Sequence, residues 1–352
     1  MGSTIKTKFG DLQVSDDIMS GAFNSIPIVD LKNINSPDIS QRRDLALQLK
    51  DACIRVGFFY IKNHGIDASL VARMHTKAHE YFSLPIDEKM KCSRADSKVF
   101  RGYTPLLSEF DQMDHSVGSL CEGFDIGYEF DADPQATRDN ELHKISNMYG
   151  ENVWPDERVL PGFRATYLEY YANLLKLSRN LLKMFAVALD LPDNYFDAFV
   201  TRPGSMSRLI HYPPQPIPGG NHPGIAPHTD FECFTILSQD SVRALQVLNS
   251  QNKWIMAEPI KDHLVVNVGD FLQFWTNGLF RSTFHAATNL TGLDRYSIPF
   301  FFGVNYDAVI SVLDSCITKD MPLKSKTKSV VAGDYVRQQL DAVYNKPFDA
   351  PL

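Results

Sequence analysis

From Thr201 to about Asn305 the chain breaks into short runs rich in β-branched and aromatic residues, separated by turn signals roughly every ten residues. That spacing constrains the fold more than any other feature. It is the pattern of a sandwich or barrel. The punctuation includes Pro213-Pro214, Pro218-Gly219-Gly220, Gly269-Asp270 and Asn277-Gly278. Upstream, Tyr167, Tyr170, Tyr171, Leu174, Leu181 and Phe185 recur every three or four residues and predict one long helix from near Pro161 towards Leu189.

The first third mixes helix and strand. Ile26-Pro27-Ile28-Val29-Asp30 and Gly57-Phe58-Phe59-Tyr60-Ile61 read as strands, the second closed by an Asn63-His64-Gly65 turn. Between them Leu45, Leu49, Ala52 and Val56 mark a helix face, with Ser36 as its cap before Pro37. A second helix is expected from about Asp67 to Phe82, and a last one around Asp334, Val336, Leu340 and Val343. The expectation is a mixed α and β fold, a β core wrapped by helices in one compact unit over residues 1–352.

Composition narrows the function classes. Lys and Arg total 35 against 42 Asp and Glu, a formal net charge of −7. That sign does not suit a protein that neutralises phosphates, so no nucleic-acid partner is expected. Apolar runs such as Ile298-Pro299-Phe300-Phe301-Phe302 are too short to span a bilayer. The start, Met1-Gly2-Ser3-Thr4-Ile5-Lys6, has no apolar signal core, and Ala350-Pro351-Leu352 is no lipidation or targeting signal. A cytoplasmic protein with no membrane partner is expected. The five cysteines (Cys53, Cys92, Cys121, Cys233, Cys316) show no zinc or redox spacing and read as buried thiols.

The chemistry starts at His228-Thr229-Asp230. On a strand, residues i and i+2 share a face, so an imidazole and a carboxylate converge on one point. His285, in the strand-like stretch Phe280–Ala287, is the best third ligand among ten histidines. Two His and one carboxylate leave three octahedral positions open, the arrangement of non-haem Fe(II) oxygenases. His-x-Asp alone is weak evidence, and a surface His beside a turn Asp explains it better. The second piece is Arg295-Tyr296-Ser297, ten residues on, where a guanidinium and a hydroxyl share a face and suit a carboxylate. The pair would anchor a dicarboxylic 2-oxo acid. Tyr212, two and four residues after Ile210 and Arg208, is either a helper to that clamp or an ordinary strand aromatic.

In this order and spacing, the motifs resemble the iron- and 2-oxoglutarate-dependent dioxygenases of the isopenicillin-N-synthase-like superfamily. The resemblance is nearest the fungal branch of thymine 7-hydroxylase-like and secondary-metabolism oxygenases. It is carried by Ile26–Asp30, Gly57–Tyr60, Asn63-His64-Gly65, Arg101-Gly102-Tyr103, His211-Tyr212-Pro213, His228-Thr229-Asp230, Leu245-Gln246-Val247, Asn267–Asp270, His285 and Arg295-Tyr296-Ser297. Relatives usually follow the distal histidine with Arg-Val; here Ala286-Ala287 stand instead.

The resemblance implies a distorted double-stranded β-helix (jelly roll). It divides the chain into an N-terminal mixed region over 20–130, a supporting helix over 160–190, a dioxygenase core over 201–307 and a C-terminal helix over 330–345. It assigns Fe(II) to His228, Asp230 and His285, and the 2-oxoglutarate carboxylate to Arg295, Ser297 and Tyr212. It implies C–H oxidation by O2 of a small, secondary-metabolite-like substrate, releasing succinate and CO2. Arg101, Tyr103, Phe231, Cys233, Phe274 and Phe301 are the candidate substrate contacts, the last four placed on strands, where plain core packing explains them too. Two other readings stay open: an iron oxidase using no 2-oxoglutarate, and a non-catalytic jelly-roll binding module. Oligomeric state is not legible. His64, His211, His222 and His263 read as structural or exposed.

Overall fold

The computed structural model describes residues 22–109, 118–136, 146–215, 223–325 and 329–344, with the backbone of a short hairpin, β1 (Thr4–Thr7) and β2 (Gly10–Gln13). His222, the Pro218–Gly220 turn, Met1-Gly2-Ser3 and Ala350–Leu352 lie outside the described residues.

Two mainly antiparallel sheets face each other and enclose the site. The larger has eight strands. In spatial order they are β3 (Ile28–Asp30), β4 (Phe58–Lys62), β12 (Leu264–Val268), β9 (Phe234–Gln239), β14 (Arg295–Phe302), β7 (Met206–Tyr212), β6 (Glu122–Gly127) and β5 (Gly102–Thr104). Only β3 and β4 run parallel within it. The smaller holds β11 (Trp254–Met256), β10 (Leu245–Leu248), β13 (His285–Ala287) and β8 (Ile225–His228). A further pair, β15 (Val309–Ser311) and β16 (Ser329–Val331), leads into the last helix. This is the jelly roll the motifs imply.

Strand alternation divides the large sheet into a packed face and a working face. On β14, Ile298, Phe300 and Phe302 are buried in the main core, while Arg295, Ser297, Pro299 and Phe301 turn to the interior between the sheets. β9 repeats the division with Phe234 and Ile236 against Thr235 and Leu237, and β7 with Leu209 against Ile210 and Tyr212.

The packed face is covered by helices α1 (Ile39–Arg55), α2 (Ala68–Phe82) and α4 (Phe163–Ala188), with a short α3 (Ile86–Met90) beside them. At 1.5 Å per residue α4 is roughly 39 Å long. All six residues of its expected apolar stripe are buried. Tyr171 packs edge-on to Phe300 at 5.2 Å, and Phe185 to Phe234 at 5.4 Å. Edge-to-face pairs of this kind add to the apolar burial that fixes a helix on a sheet.

Several local expectations are corrected. The cap of α1 is Asp38, whose carboxylate accepts from Ser40 N; Ser36 instead accepts from Asp38 N. The strand-like stretch 280–287 forms strand only from His285. Before it, Arg281 N donates to Cys53 O and Thr283 Oγ1 to Val56 O, which ties the segment to the end of α1. Gly57 sits there in the left-handed region (φ 73°), and a Cβ on it would lie 2.2 Å from Arg281 O, so only glycine fits. Gly269-Asp270 does not close a simple turn but opens a short helix, α5 (Asp270–Trp275), which carries Phe274. Phe231 and Cys233 lie in a bend before β9 rather than on a strand. All five cysteines are buried and unpaired. The last helix, α6, spans Ala332–Tyr344. No described helix is long and apolar enough to cross a membrane.

Candidate functional site

His228 ends β8 and His285 opens β13, and the two are direct cross-strand partners with ring centroids 4.2 Å apart. Asp230 lies just past the end of β8, not on it. Its Oδ1 is 3.7 Å from Nε2 of each histidine. The three ligand atoms all fall within 4.8 Å of one another, close enough to share one ion.

The neighbours aim these atoms. Nδ1 of His228 faces Ala226 O at 2.8 Å and Nδ1 of His285 faces Thr283 O at 3.2 Å, which leaves both Nε2 atoms turned inward. Asp230 Oδ2 accepts from Asn267 Nδ2 at 2.6 Å and from Thr235 Oγ1, so Oδ1 is the oxygen left for an ion. Burial opposes the charge on Asp230, but the two imidazoles and these hydrogen bonds outweigh it and hold the carboxyl below its usual range. The backbone is pinned as well: Asp270 N donates to Asp230 O and Gly269 N to Cys233 O, both at 2.8 Å. A Cβ on Gly269 would come 2.1 Å from Glu232 O, so this close approach needs glycine. The Asn267–Asp270 motif, to which its sequence alone gives no role, supplies the Asn and Gly that steady the carboxylate. Thr235 carries no signal of its own.

Arg295, Ser297 and Tyr212 border the same interior. A cavity runs between the sheets from the His/Asp/His cluster to these three. Arg295 is 1 % exposed. Its Nε donates to Val242 O at 3.2 Å and its Nη2 to Gln239 Oε1 at 3.1 Å, while Nη1 has no partner. The guanidinium stacks on the Tyr212 ring, 4.7 Å from its centroid. A buried guanidinium with one donor left over, held rigidly across a cavity from a metal-ready triad, fits a carboxylate. The residues present thus suit both an Fe(II) ion and a 2-oxo diacid.

A second, larger cavity adjoins the first, and His228, Asp230, Ile210, Ile225 and Phe301 border both. Phe231 lines it together with Val336 and Leu340 of α6. The other candidate contacts line neither cavity. Arg101 is fully buried against Gly127, Tyr103 donates to Glu122, and Cys233 and Phe274 belong to the main core. His211 is held between Glu122 (2.8 Å) and Asp294 (2.7 Å).

Two family models match the chain: one described as non-haem dioxygenase in morphine synthesis N-terminal over residues 26–157, and one as 2OG-Fe(II) oxygenase superfamily over residues 203–304. The chain is 32 % identical over 333 residues to the 2-oxoglutarate-Fe(II) type oxidoreductase ppzC of Metarhizium majus, covering 92 % of this chain and 88 % of that one. It is 34 % identical to the 2-oxoglutarate-Fe(II) type oxidoreductase hxnY of Emericella nidulans, over 82 % of each. The fold superimposes on Neurospora crassa T7H in complex with alpha-KG and thymine with a TM-score of 0.77 at 26 % identity, covering 94 % of this chain and 98 % of that one. The chain therefore belongs to the 2OG-Fe(II) oxygenase superfamily, as an oxidoreductase that works with Fe(II), 2-oxoglutarate and O2.

Proposed function

We propose that His228 Nε2, Asp230 Oδ1 and His285 Nε2 hold the iron, and that Arg295, Ser297 and Tyr212 bind the far carboxylate of 2-oxoglutarate. The reaction is the oxidation of a C–H bond of a small organic substrate in the larger cavity, with release of succinate and CO2. The observation that carries this reading is that the two cavities meet at His228 and Asp230. One compartment takes a diacid and the other an apolar body, and both open on the same ligand atoms. T7H, crystallised with alpha-KG and thymine, supports a substrate of single-ring size.

When bound, the iron supplies the redox chemistry that couples decarboxylation of the 2-oxo acid to use of O2. The chain's own residues supply position. Asn267 and Thr235 hold Asp230 in one orientation, and the carbonyls of Ala226 and Thr283 fix the two imidazoles. Arg295 fixes the far end of the diacid, so its 2-oxo end lies towards the triad. Phe231, Phe301, Val336 and Leu340 keep water from the substrate.

The test is conversion of labelled 2-oxoglutarate to succinate by the Fe(II)-loaded protein, with and without candidate substrates. His228→Ala and Asp230→Ala are expected to abolish it with the fold retained. Iron-dependent O2 uptake with no consumption of 2-oxoglutarate would defeat the proposal.

A further inference from the structure

The larger cavity is lined in part by buried polar groups that the reaction above leaves unused. Asp125 on β6 and Arg208 on β7 are cross-strand partners, and both line that cavity. Asp125 Oδ2 and Arg208 Nε lie 3.8 Å apart, too far for a hydrogen bond, and neither has another hydrogen-bond partner. Glu232 Oε1, on another residue that lines the cavity, is unpartnered as well. Buried polar atoms are nearly always paired, so three unpaired ones on residues that line one cavity point to something polar binding there.

The pair is held in place. Arg208 Nη1 donates to Tyr344 Oη at 2.9 Å, and Nη2 donates to Glu109. Tyr344, the last residue of α6, donates to Glu109 at 3.2 Å and lies under the Arg94 guanidinium at 3.7 Å. The Arg208 guanidinium rests on Gly123, where a Cβ would come 2.4 Å from Nη2. The strand thus leaves out a side chain at the point where this arginine lies.

We propose that Asp125 and Arg208 form the specificity-determining end of the substrate cavity and recognise a cyclic amide edge, its C=O accepting from Arg208 Nε and its N–H donating to Asp125 Oδ2. The inference rests on assigning the larger cavity to the substrate. A single hydroxyl oxygen at ~2.8 Å from both atoms would subtend only roughly 85°, well short of tetrahedral. A two-atom edge meets both partners with nearly straight hydrogen bonds. Burial, only partly offset by Arg94 and Arg101, pushes the Asp125 carboxyl up to about 7, the mark of a carboxyl that lacks a donor. The substrate N–H is that donor, while Phe231, Phe301 and Leu340 take the apolar body of the ring.

The experiment is calorimetric binding of 2-pyridone, N-methyl-2-pyridone and phenol to the full chain loaded anaerobically with Fe(II) and 2-oxoglutarate. 2-Pyridone is expected to bind at least ~10-fold more tightly than its N-methyl derivative, which lacks the donor, and than phenol, which lacks the edge. Asp125→Leu is expected to bind 2-pyridone and N-methyl-2-pyridone alike. Equal binding of the three probes by the wild-type chain, no binding of any, or discrimination surviving in Asp125→Leu would overturn the inference. The wild-type comparison decides even if that variant fails to fold. A chain that discriminates the probes but forms no succinate from 2-oxoglutarate refutes the proposed reaction and leaves this inference standing; succinate formation without discrimination does the reverse.

Discussion

Arg295→Gln tests the co-substrate anchor directly. Nε and Nη2 of Arg295 are committed to Val242 O and Gln239 Oε1, so Nη1 is the donor left for a bound carboxylate. Glutamine keeps some of the length and polarity but removes the charge and the fork. One charge-assisted hydrogen bond contributes ~1.5–3 kcal/mol. At about 1.4 kcal/mol per factor of ten, the affinity for 2-oxoglutarate is expected to fall roughly 10- to 150-fold. Arg295→Lys keeps a point charge without the planar fork and is expected to fall between the two. The measurements are the Kd for 2-oxoglutarate by calorimetry and its apparent KM by succinate release, with a melting curve to show that the variant is folded. At saturating co-substrate, turnover should recover more than affinity does, because the anchor lies across the cavity from the triad. A folded Arg295→Gln protein with unchanged Kd would refute the assignment, since no other guanidinium borders this cavity among the described residues.

Two further perturbations act on neighbours of the site. Asn267→Ala removes the 2.6 Å bond to Asp230 Oδ2 and frees the carboxylate to rotate. The affinity for Mn(II) or Fe(II) is expected to drop ~10- to 100-fold, as is usual for a group that orients a metal ligand, and metal titration checks it. His211 gives a pH signature. Burial lowers its pKa, but the bonds and charges of Glu122 and Asp294 outweigh burial and raise it above the ordinary 6.5. The charged ring therefore stabilises the fold fully below pH 6.5, and that contribution is lost as pH rises through the raised value. Asp294→Asn should lower the melting temperature below pH 6.5 and flatten its decline above; an unchanged profile would count against the ion pair.

Much of the working face was legible because strands alternate. Arg295 and Ser297 share a face by spacing alone, and Arg208, Ile210 and Tyr212 do likewise. The convergence of His228 with Asp230 followed from the same rule, although Asp230 lies beyond the strand's end. Which strands pair, and in what register, was not legible. His285 faces His228 because β13 and β8 are in register, and one sequence does not encode register in any local pattern. Phe274 was misplaced because all six residues of α5 are buried, so no polar face betrays its helical period. The Asp125–Arg208 end was invisible for another reason. Its supports, Glu109 and Tyr344, lie 99 and 136 residues from Arg208. Charged residues that far apart look like solvated surface until the fold buries them together.

The charges bordering the smaller cavity carry one more consequence. Apart from the imidazoles, its ionised lining groups are Asp230 and Arg295, one of each sign. Iron alone would add two positive charges to walls that include Phe58, Leu237 and Pro299, and 2-oxoglutarate alone would add two negative ones. Together they restore neutrality, and uncompensated charge is costly in such a setting. Each is therefore expected to strengthen the other's binding, by the same factor in both directions, within the usual range of roughly 5- to 150-fold. Four titrations close the cycle: 2-oxoglutarate with and without Mn(II), and Mn(II) with and without 2-oxoglutarate. In Arg295→Gln the metal becomes the main counter-charge for the diacid, so the coupling should grow even as the affinity for 2-oxoglutarate falls. Independent binding of metal and diacid, or coupling that shrinks in Arg295→Gln, would mean that the two do not share this cavity.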